Sequence, residues 1–324
     1  MKMNPPLLIA CGLAALLAAQ AHAHATRYPL TVDSCNRKVT FQRAPQRAVS
    51  HDINLTEMMV ALGLQGRMAG YTGISAWNKL NAPLKQALGP LPELAGDYPS
   101  SEALLASRAD FFFAGWNYGL RVGGPVTPAS LAPLGIQVYE LSESCAHVMK
   151  RPAASLDDVY RDIGNLGRIF DVEPRAQKVV ADMRAKIDGV AARVAKRKAT
   201  PSVFVYDSGE DRPFSAGRLA MPDALIRAAG GRNILADVNA SWTRVDWETV
   251  VARNPQAIVI IDYGKVTAQQ KIAFLQKHPA LNKMAAVRDK RFIVLPYDSA
   301  TPGIANADAI GALARGLHPE AFAK

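Results

Sequence analysis

A repeated plan constrains this chain more than any other feature. Residues 101–115 read SEALLASRADFFFAG: a glutamate near the start of a short apolar helix, a charged turn, then phenylalanines suited to a buried strand. Residues 245–261, VDWETVVARNPQAIVII, follow the same order without a gap, so that Glu102 falls on Glu248, Ala106 on Ala252 and FFF on AIV. The segments around them repeat too, because TEMMVALG and PDALIRAAG share their apolar spacing and each follows a strand-like run and a polar loop. Continuous apolar strands alternating with helices make βαβ units, whose parallel sheets are covered by helices on both faces. The duplication therefore predicts an α/β chain of two lobes, each with its own parallel sheet. Two copies are too few for a solenoid.

Between the copies, SLDDVYRDIGNLGRIF sets Leu156, Val159, Ile163, Leu166 and Phe170 at helical spacing. A second helix opens at Glu173-Pro174, with proline at a tolerated first-turn position, and carries Val179, Met183, Ile187, Val190 and Val194 on one face. As a helix over residues 173–198 it would span roughly 39 Å, enough to cross from one lobe to the other. The segment is not Gly/Ser-rich, which predicts a stiff connection with limited closure. The division is then an N-terminal lobe over 26–172, a linking helix over 173–198 and a C-terminal lobe over 199–324, with a cleft between the lobes. Within the first lobe, YPLTVDSCNRKVTF reads as a hairpin. QRAVSHDINLTEMMVALGL reads as a strand, a polar loop at His51 to Asn54 and a helix from near Thr56 to Gly63.

With 324 residues, 49% of them hydrophobic, the chain has ample material for two cores, and 20% charged residues exclude a disordered class. MKMNPPLLIACGLAALLAAQAHAHA, residues 1–25, has Lys2 as its only charge, an apolar middle and small residues at its end. That is a secretory signal, with cleavage after Ala23 or Ala25. Prolines and a glutamine interrupt the apolar part, which is short for a permanent span. LIAC, ending at Cys11, resembles a lipoprotein cleavage site, but the apolar run continues past it, which favours simple cleavage. Removal of the leader leaves Cys35 and Cys145, an even count that reads in an oxidising compartment as one disulfide, against two free buried thiols. The net charge of +10 is scattered rather than gathered into basic runs, so nucleic acid is not an expected partner.

Catalytic signatures are missing: the sequence holds no GxGxxG after a strand, no GxxxxGKS/T, no HExxH and no GxSxG. An enzyme reading, a hydrolase built on His51 and Asp207, lacks a nucleophile, and no enzymatic activity is expected. A protein metal site needs convergent ligands. Here His278 and His318 stand at helix ends that suggest solvated capping, leaving His51 and His147 near a cleft, so no metal site is assigned. What gathers at strand ends is aromatic. GWNYG follows the FFF strand, SWTRVDW precedes the second glutamate helix, and RPF and PYDS follow strands. Strand ends of an open parallel sheet lie along one edge, so two facing lobes would line a groove with Trp116, Tyr118, Phe214, Trp242 and Tyr297. His51 and Tyr71 at the ends of first-lobe strands, and Arg218 and Arg244 in second-lobe loops, complete the candidate ligand contacts. Such a groove suits a large, partly planar ligand.

The order RAVSHDINLTEMMVALGL, YPSSEALLASRADF, SESC, LDDVYRDIGNLGRIF, VFVYDSGEDRPFSAG, AAGGRNIL and VDWETVVARNPQAIVIIDY resembles the class III periplasmic substrate-binding proteins of ABC importers, the group handling iron-siderophores, cobalamin and haem. The resemblance covers residues 28–320. It implies two Rossmann-like lobes with parallel sheets joined by a single long rigid helix, a ligand held in the cleft, and a periplasmic monomer. It also implies that Glu102 and Glu248 each meet arginines on one copy of a dimeric inner-membrane permease, which accounts for the duplicated glutamate. Members of the group often carry a basic residue soon after the proline-glycine that follows the last strand. Here the segment is TPGIANAD, which weakens any anion contact there and leaves Arg218 and Arg244 as substitutes. With no intrinsic cofactor, the expected ligand is a chelated metal, a ferric siderophore first, then cobalamin or another corrinoid, then haem with His51 or Tyr118 as axial ligand. The rival is a carrier of a bare ion through His51, Glu57 and cleft carboxylates.

Overall fold

A computed structural model describes residues 25–78 and 80–323. Apart from Ala25, the expected leader and its cleavage positions fall outside the described residues.

The strands in chain order are β1 (Leu30–Ser34), β2 (Arg37–Phe41), β3 (Ala48–His51), β4 (Met68–Thr72), β5 (Glu93–Ala95), β6 (Phe111–Trp116), β7 (Gly119–Leu120), β8 (Gln137–Glu140), β9 (Ser202–Tyr206), β10 (Phe214–Ala216), β11 (Arg232–Asn233), β12 (Trp242–Arg244), β13 (Ala257–Asp262) and β14 (Phe292–Pro296). The first lobe holds a parallel sheet in the order β5-β4-β3-β6, with β8 and the short β7 both against β6. The second holds a parallel sheet in the order β11-β9-β13-β14. The α/β fold with two parallel sheets is as the duplication requires.

Strand side chains alternate between faces, and both faces are buried. Phe111 and Phe113 join a core that continues through Met183 and Val194 into Val203, Val205 and Val259, whereas Phe112 and Ala114 pack with Leu104 and Leu131 on the far side. In the second sheet Phe204, Tyr206, Ile258 and Ile260 likewise turn to a separate cluster around Trp247 and Leu275. One core thus spans both lobes on the side of the linking helix, and each lobe has a second core outside it.

The linking helix is Glu173–Val194, about 33 Å long for its 22 residues. It stops short of residue 198, and Ala195 to Thr200 follow as a turn, a bend and irregular backbone. It packs against the helices Leu156–Ile169 and Asn306–Leu317, one from either side of it in sequence. The helix expected from Thr56 starts earlier, at Ile53, because the Asp52 side chain accepts from the Ile53 N–H and caps it. The expected hairpin is present as β1 and β2, paired from Leu30↔Phe41 to Ser34↔Arg37. Its turn is bonded to the second cysteine: Cys35 and Cys145 form a disulfide with Cα atoms 5.2 Å apart. His318 departs from expectation, since it is buried with Nε2 3.2 Å from the Gly230 carbonyl instead of capping in solvent.

Candidate ligand cleft

The C-terminal ends of β3 and β14 meet across the lobes. The Tyr297 hydroxyl, just past β14, donates to Asp52 Oδ2, just past β3, at 2.7 Å. Nearby, Asn54 Nδ2 donates to the Pro302 carbonyl at 2.7 Å. A cavity of 290 Å³ opens beside this crossing, between Ile53 and Asn78 of the first lobe and Tyr263, Thr267 and Tyr297 of the second. Open α/β sheets place binding residues at these strand ends.

The first-lobe wall is tightly fixed. His51 is buried, and its ring fills the space where a Cβ on Gly73 would lie 2.2 Å from Cε1 and one on Gly119 2.7 Å from Cγ. Both glycines have positive φ, so the two loops need glycine for conformation as well as space. His51 Nδ1 lies 2.9 Å from Thr72 Oγ1, and the ring packs 5.0 Å from Tyr98 and 6.4 Å from Trp77. Burial pushes the His51 pKa down to about 3, so the imidazole is neutral. Tyr118 is also buried, which raises its hydroxyl well above the usual range, and it faces the Trp242 indole of the other lobe. Burial lifts Asp52 to about 6, against the bonds from Tyr297, the Ile53 N–H and Trp77 that pull it down. At the rim, the Arg121 guanidinium stands 4.2 Å over the Tyr98 ring.

The second-lobe wall rests on a ribbon. β10 and β12 pair antiparallel, Phe214↔Arg244 and Ala216↔Trp242, and bring the Phe214 and Trp242 rings into a stack 5.9 Å apart. Arg244 holds its guanidinium 5.7 Å from the Phe214 ring while donating to the Arg212 carbonyl at 3.0 Å. Tyr263 and Tyr297 form a second pair, 5.3 Å apart. The Tyr263 hydroxyl donates to Asp207 Oδ2 at 2.7 Å, and the buried Lys271 ammonium bridges the Asp207 and Ile261 carbonyls, 4.7 Å from the Tyr263 ring.

Of the residues anticipated from sequence, Tyr118, Phe214, Trp242 and Arg244 gather on one side of this region, and His51 and Tyr297 border Asp52. Arg218 donates to Asn239 Oδ1 at 3.0 Å, and its carbonyl accepts from the Ala154 N–H across the seam. Trp116 turns to Glu140, donating to Oε1 at 2.8 Å, beside the Arg37–Glu140 ion pair. Tyr71 is 7% exposed and packs in the core. His147 Nε2 lies 3.3 Å from Asn117 Nδ2. Glu102 and Glu248 are exposed in the first turns of the helices Ser101–Ala106 and Trp247–Arg253, with the Glu102 carboxyl lowered by bonds from its own backbone and Ser100. Sequence reasoning missed Trp77, Tyr98, Arg121 and Tyr263. Tyr263 stands directly after the AIVIID strand, and the strand-end rule that selected Tyr297 would have selected it.

Among the described residues no group of three or more His, Cys, Asp or Glu side chains is placed to hold a metal ion. Aromatic rings and guanidinium groups thus stand on both lobes near the crossing of the strand ends, side chains of the kind that stack on and hydrogen-bond to bound molecules.

The sequence profile of the family described as periplasmic binding protein matches residues 50–298. The chain is 23% identical over 309 residues to the uncharacterized ABC transporter substrate-binding lipoprotein YvrC of Bacillus subtilis, covering 91% of this chain and 87% of that one. It is 26% identical over 245 residues to a cobalamin-binding protein of Halobacterium salinarum, covering 74% of this chain and 61% of the relative. Among solved structures, it is similar to an ABC-type Fe3+-hydroxamate transport system protein from Saccharomonospora viridis, with a TM-score of 0.76, 25% identity, and 92% and 100% of the two chains covered.

Proposed function

The chain belongs to the periplasmic binding protein family, and from that premise we propose that it captures an intact metal chelate, a ferric siderophore, and delivers it to an ABC permease in the inner membrane. The lobes of this reading are residues 26–172 and 199–324, on either side of the linking segment 173–198. The observation that carries it is that aromatic side chains of the two lobes face each other where the strand ends cross, Tyr118 with Trp242 and Tyr297 bonded to Asp52, with the Phe214–Trp242 pair and Arg244 on one side and Tyr98 and Arg121 on the other. Rings can grip a chelate whose metal is already saturated, and arginines suit its anionic groups. His51 and Tyr118 are buried, so neither is offered as an axial ligand to haem iron. A corrinoid is the second reading, favoured by the cobalamin-binding relative. Glu102 and Glu248 supply one exposed anion per lobe for a permease that presents a cation from each of its two copies. Among the described residues no helix is long and apolar enough to cross a membrane.

The test is titration of residues 26–324 with ferric hydroxamate, catecholate and carboxylate siderophores, cobalamin, haem and iron salts, following tryptophan fluorescence from Trp77 and Trp242. Saturable quenching by one ferric siderophore with a raised melting temperature is the expected result. Response to cobalamin alone moves the ligand to the corrinoid class, and response only to iron salts overturns the chelate reading.

A further inference from the structure

Glu143 belongs to the first lobe, yet its carboxyl group is buried against the second. It opens the one-turn segment Glu143–His147, which the Cys35–Cys145 disulfide ties to the β1–β2 turn. From there Oε1 accepts from the backbone N–H of Met221, the first residue of the helix Met221–Ala228, at 3.2 Å. The residue is 2% exposed, and Oε2 is buried without a hydrogen-bond partner. The groups that face it are the Met221 N–H and the Ser241 side chain from the second lobe, and Arg151, Asp158 and Tyr118 from the first. The one cation among them, Arg151, is ion-paired with Asp158, which also binds Arg161. A carboxylate placed here would be desolvated with an anion nearby and one oxygen unpaired, so the group retains its proton.

We propose that Glu143 is a positioning residue of the cleft: a neutral carboxylic acid that seats the second lobe's helix start against the first lobe, making the alignment of the two walls depend on a proton. The route to the cleft is short. Ser241 precedes Trp242, and Trp242 faces Tyr118 and stacks on Phe214. A shift at this seam therefore moves the pair that the binding reading places against the ligand, and only that last consequence rests on the reading.

Burial raises the Glu143 carboxyl from 4.5 to about 8. With the native value raised, its contribution to stability is fully present below the unfolded value and is lost as pH rises through about 8. From pH 7 to pH 9 the folding equilibrium should weaken about tenfold through this group, or about 1.4 kcal/mol. For a chain of this size that lowers the melting temperature by roughly 3 °C.

The experiment compares melting at these two pH values for residues 26–324 as wild type, Glu143→Gln and Glu57→Gln. Glu57 is included because burial pushes it to about 8 as well, on the helix Ile53–Ala61, so it adds an alkaline drop of its own that has to be separated from that of Glu143. Glu143→Gln keeps a neutral group of similar shape that ionises in neither state, so it should melt above wild type at both pH values and lose its share of the alkaline drop, whereas Glu57→Gln should lose its own share and keep the one that belongs to Glu143. An unchanged drop in Glu143→Gln overturns the proposal. If Glu143→Gln does not fold, the infrared carbonyl band of un-ionised carboxyl groups in Glu57→Gln decides: a band should remain at neutral pH and fade near pH 8, and its absence at neutral pH overturns the proposal. Melting needs no ligand, so failure here is distinct from failure of the binding reading.

Discussion

The two lobes repeat one topology, yet they build their sides of the cleft differently. In the first, His51 is wedged between the loops of Gly73 and Gly119 and held at Thr72, and the segment after β8 is tied down by the disulfide. In the second, Phe214 and Trp242 are half-buried on a ribbon of three-residue strands, and Arg244 is exposed. Buried, bonded side chains hold a shape, whereas half-buried rings and an exposed guanidinium on a short ribbon can adjust to what they meet. The comparison teaches that duplication conserves where strands end and helices begin while leaving the chemistry at those ends free to diverge. On this reading the first lobe is the frame and the second the adaptable face.

The largest expected effect tests where the lobes are most alike. Glu102→Ala combined with Glu248→Ala should abolish ligand uptake by cells while the fluorescence titration stays unchanged, because both side chains are exposed and outside the cleft. Their surroundings differ, which sharpens the comparison. Glu248 borders a cavity of 470 Å³ that also carries Glu210 and Asp211, whereas Glu102 has the exposed Leu105 as neighbour. Carboxylates near Glu248 would still attract a partner's cation, so Glu102→Ala alone should reduce uptake more than Glu248→Ala alone. Normal uptake by the double variant removes the docking role, and equal single effects make the two sites equivalent.

The next effect concerns the frame. Cys35→Ser with Cys145→Ser should cost about 2–5 kcal/mol of stability, since it releases a long loop in the unfolded chain. The bridged residues are 110 positions apart. A lower urea midpoint is the expected reading, and an unchanged midpoint shows that packing alone holds the first-lobe wall.

Much of this fold could be read directly from residues. The FFF and AIVII runs are buried on both faces, and apolar spacing located Leu156–Ile169 and Glu173–Val194, because such patterns are local and periodic. The helix start at Asp52 was misjudged because its cap depends on a single side chain with φ of 68°. The ribbon of β10 and β12 escaped notice because three-residue strands carry no period. The cleft was harder still. That Trp116 pairs with Glu140, that two glycine loops enclose His51, and that Trp77 and Tyr98 meet it are facts of tertiary contact between segments far apart in the chain. Strand-end position told which aromatics could reach the region, and it could not tell which of them a nearby carboxylate would draw away.

The smallest effect tests the bond that joins the two walls. Tyr297→Phe removes the donor to Asp52 but keeps the ring against Tyr263. The loss should be about 1.5–3 kcal/mol when Asp52 is ionised, the usual range for a hydrogen bond to a charged group. Asp52 sits at about 6, raised by burial, with the Tyr297 bond among the influences that lower it. Its stabilising contribution is therefore complete below the ordinary value of 3.8 and is lost as pH rises through about 6. Removing the hydroxyl raises the native value further, so ionisation above pH 6 becomes more costly in the variant than in the wild type. The melting difference between Tyr297→Phe and wild type should accordingly widen between pH 5 and pH 7.5. A difference that stays constant with pH would mean that the Tyr297 hydroxyl does not act through ionised Asp52, and that the two walls meet there without a bond that matters.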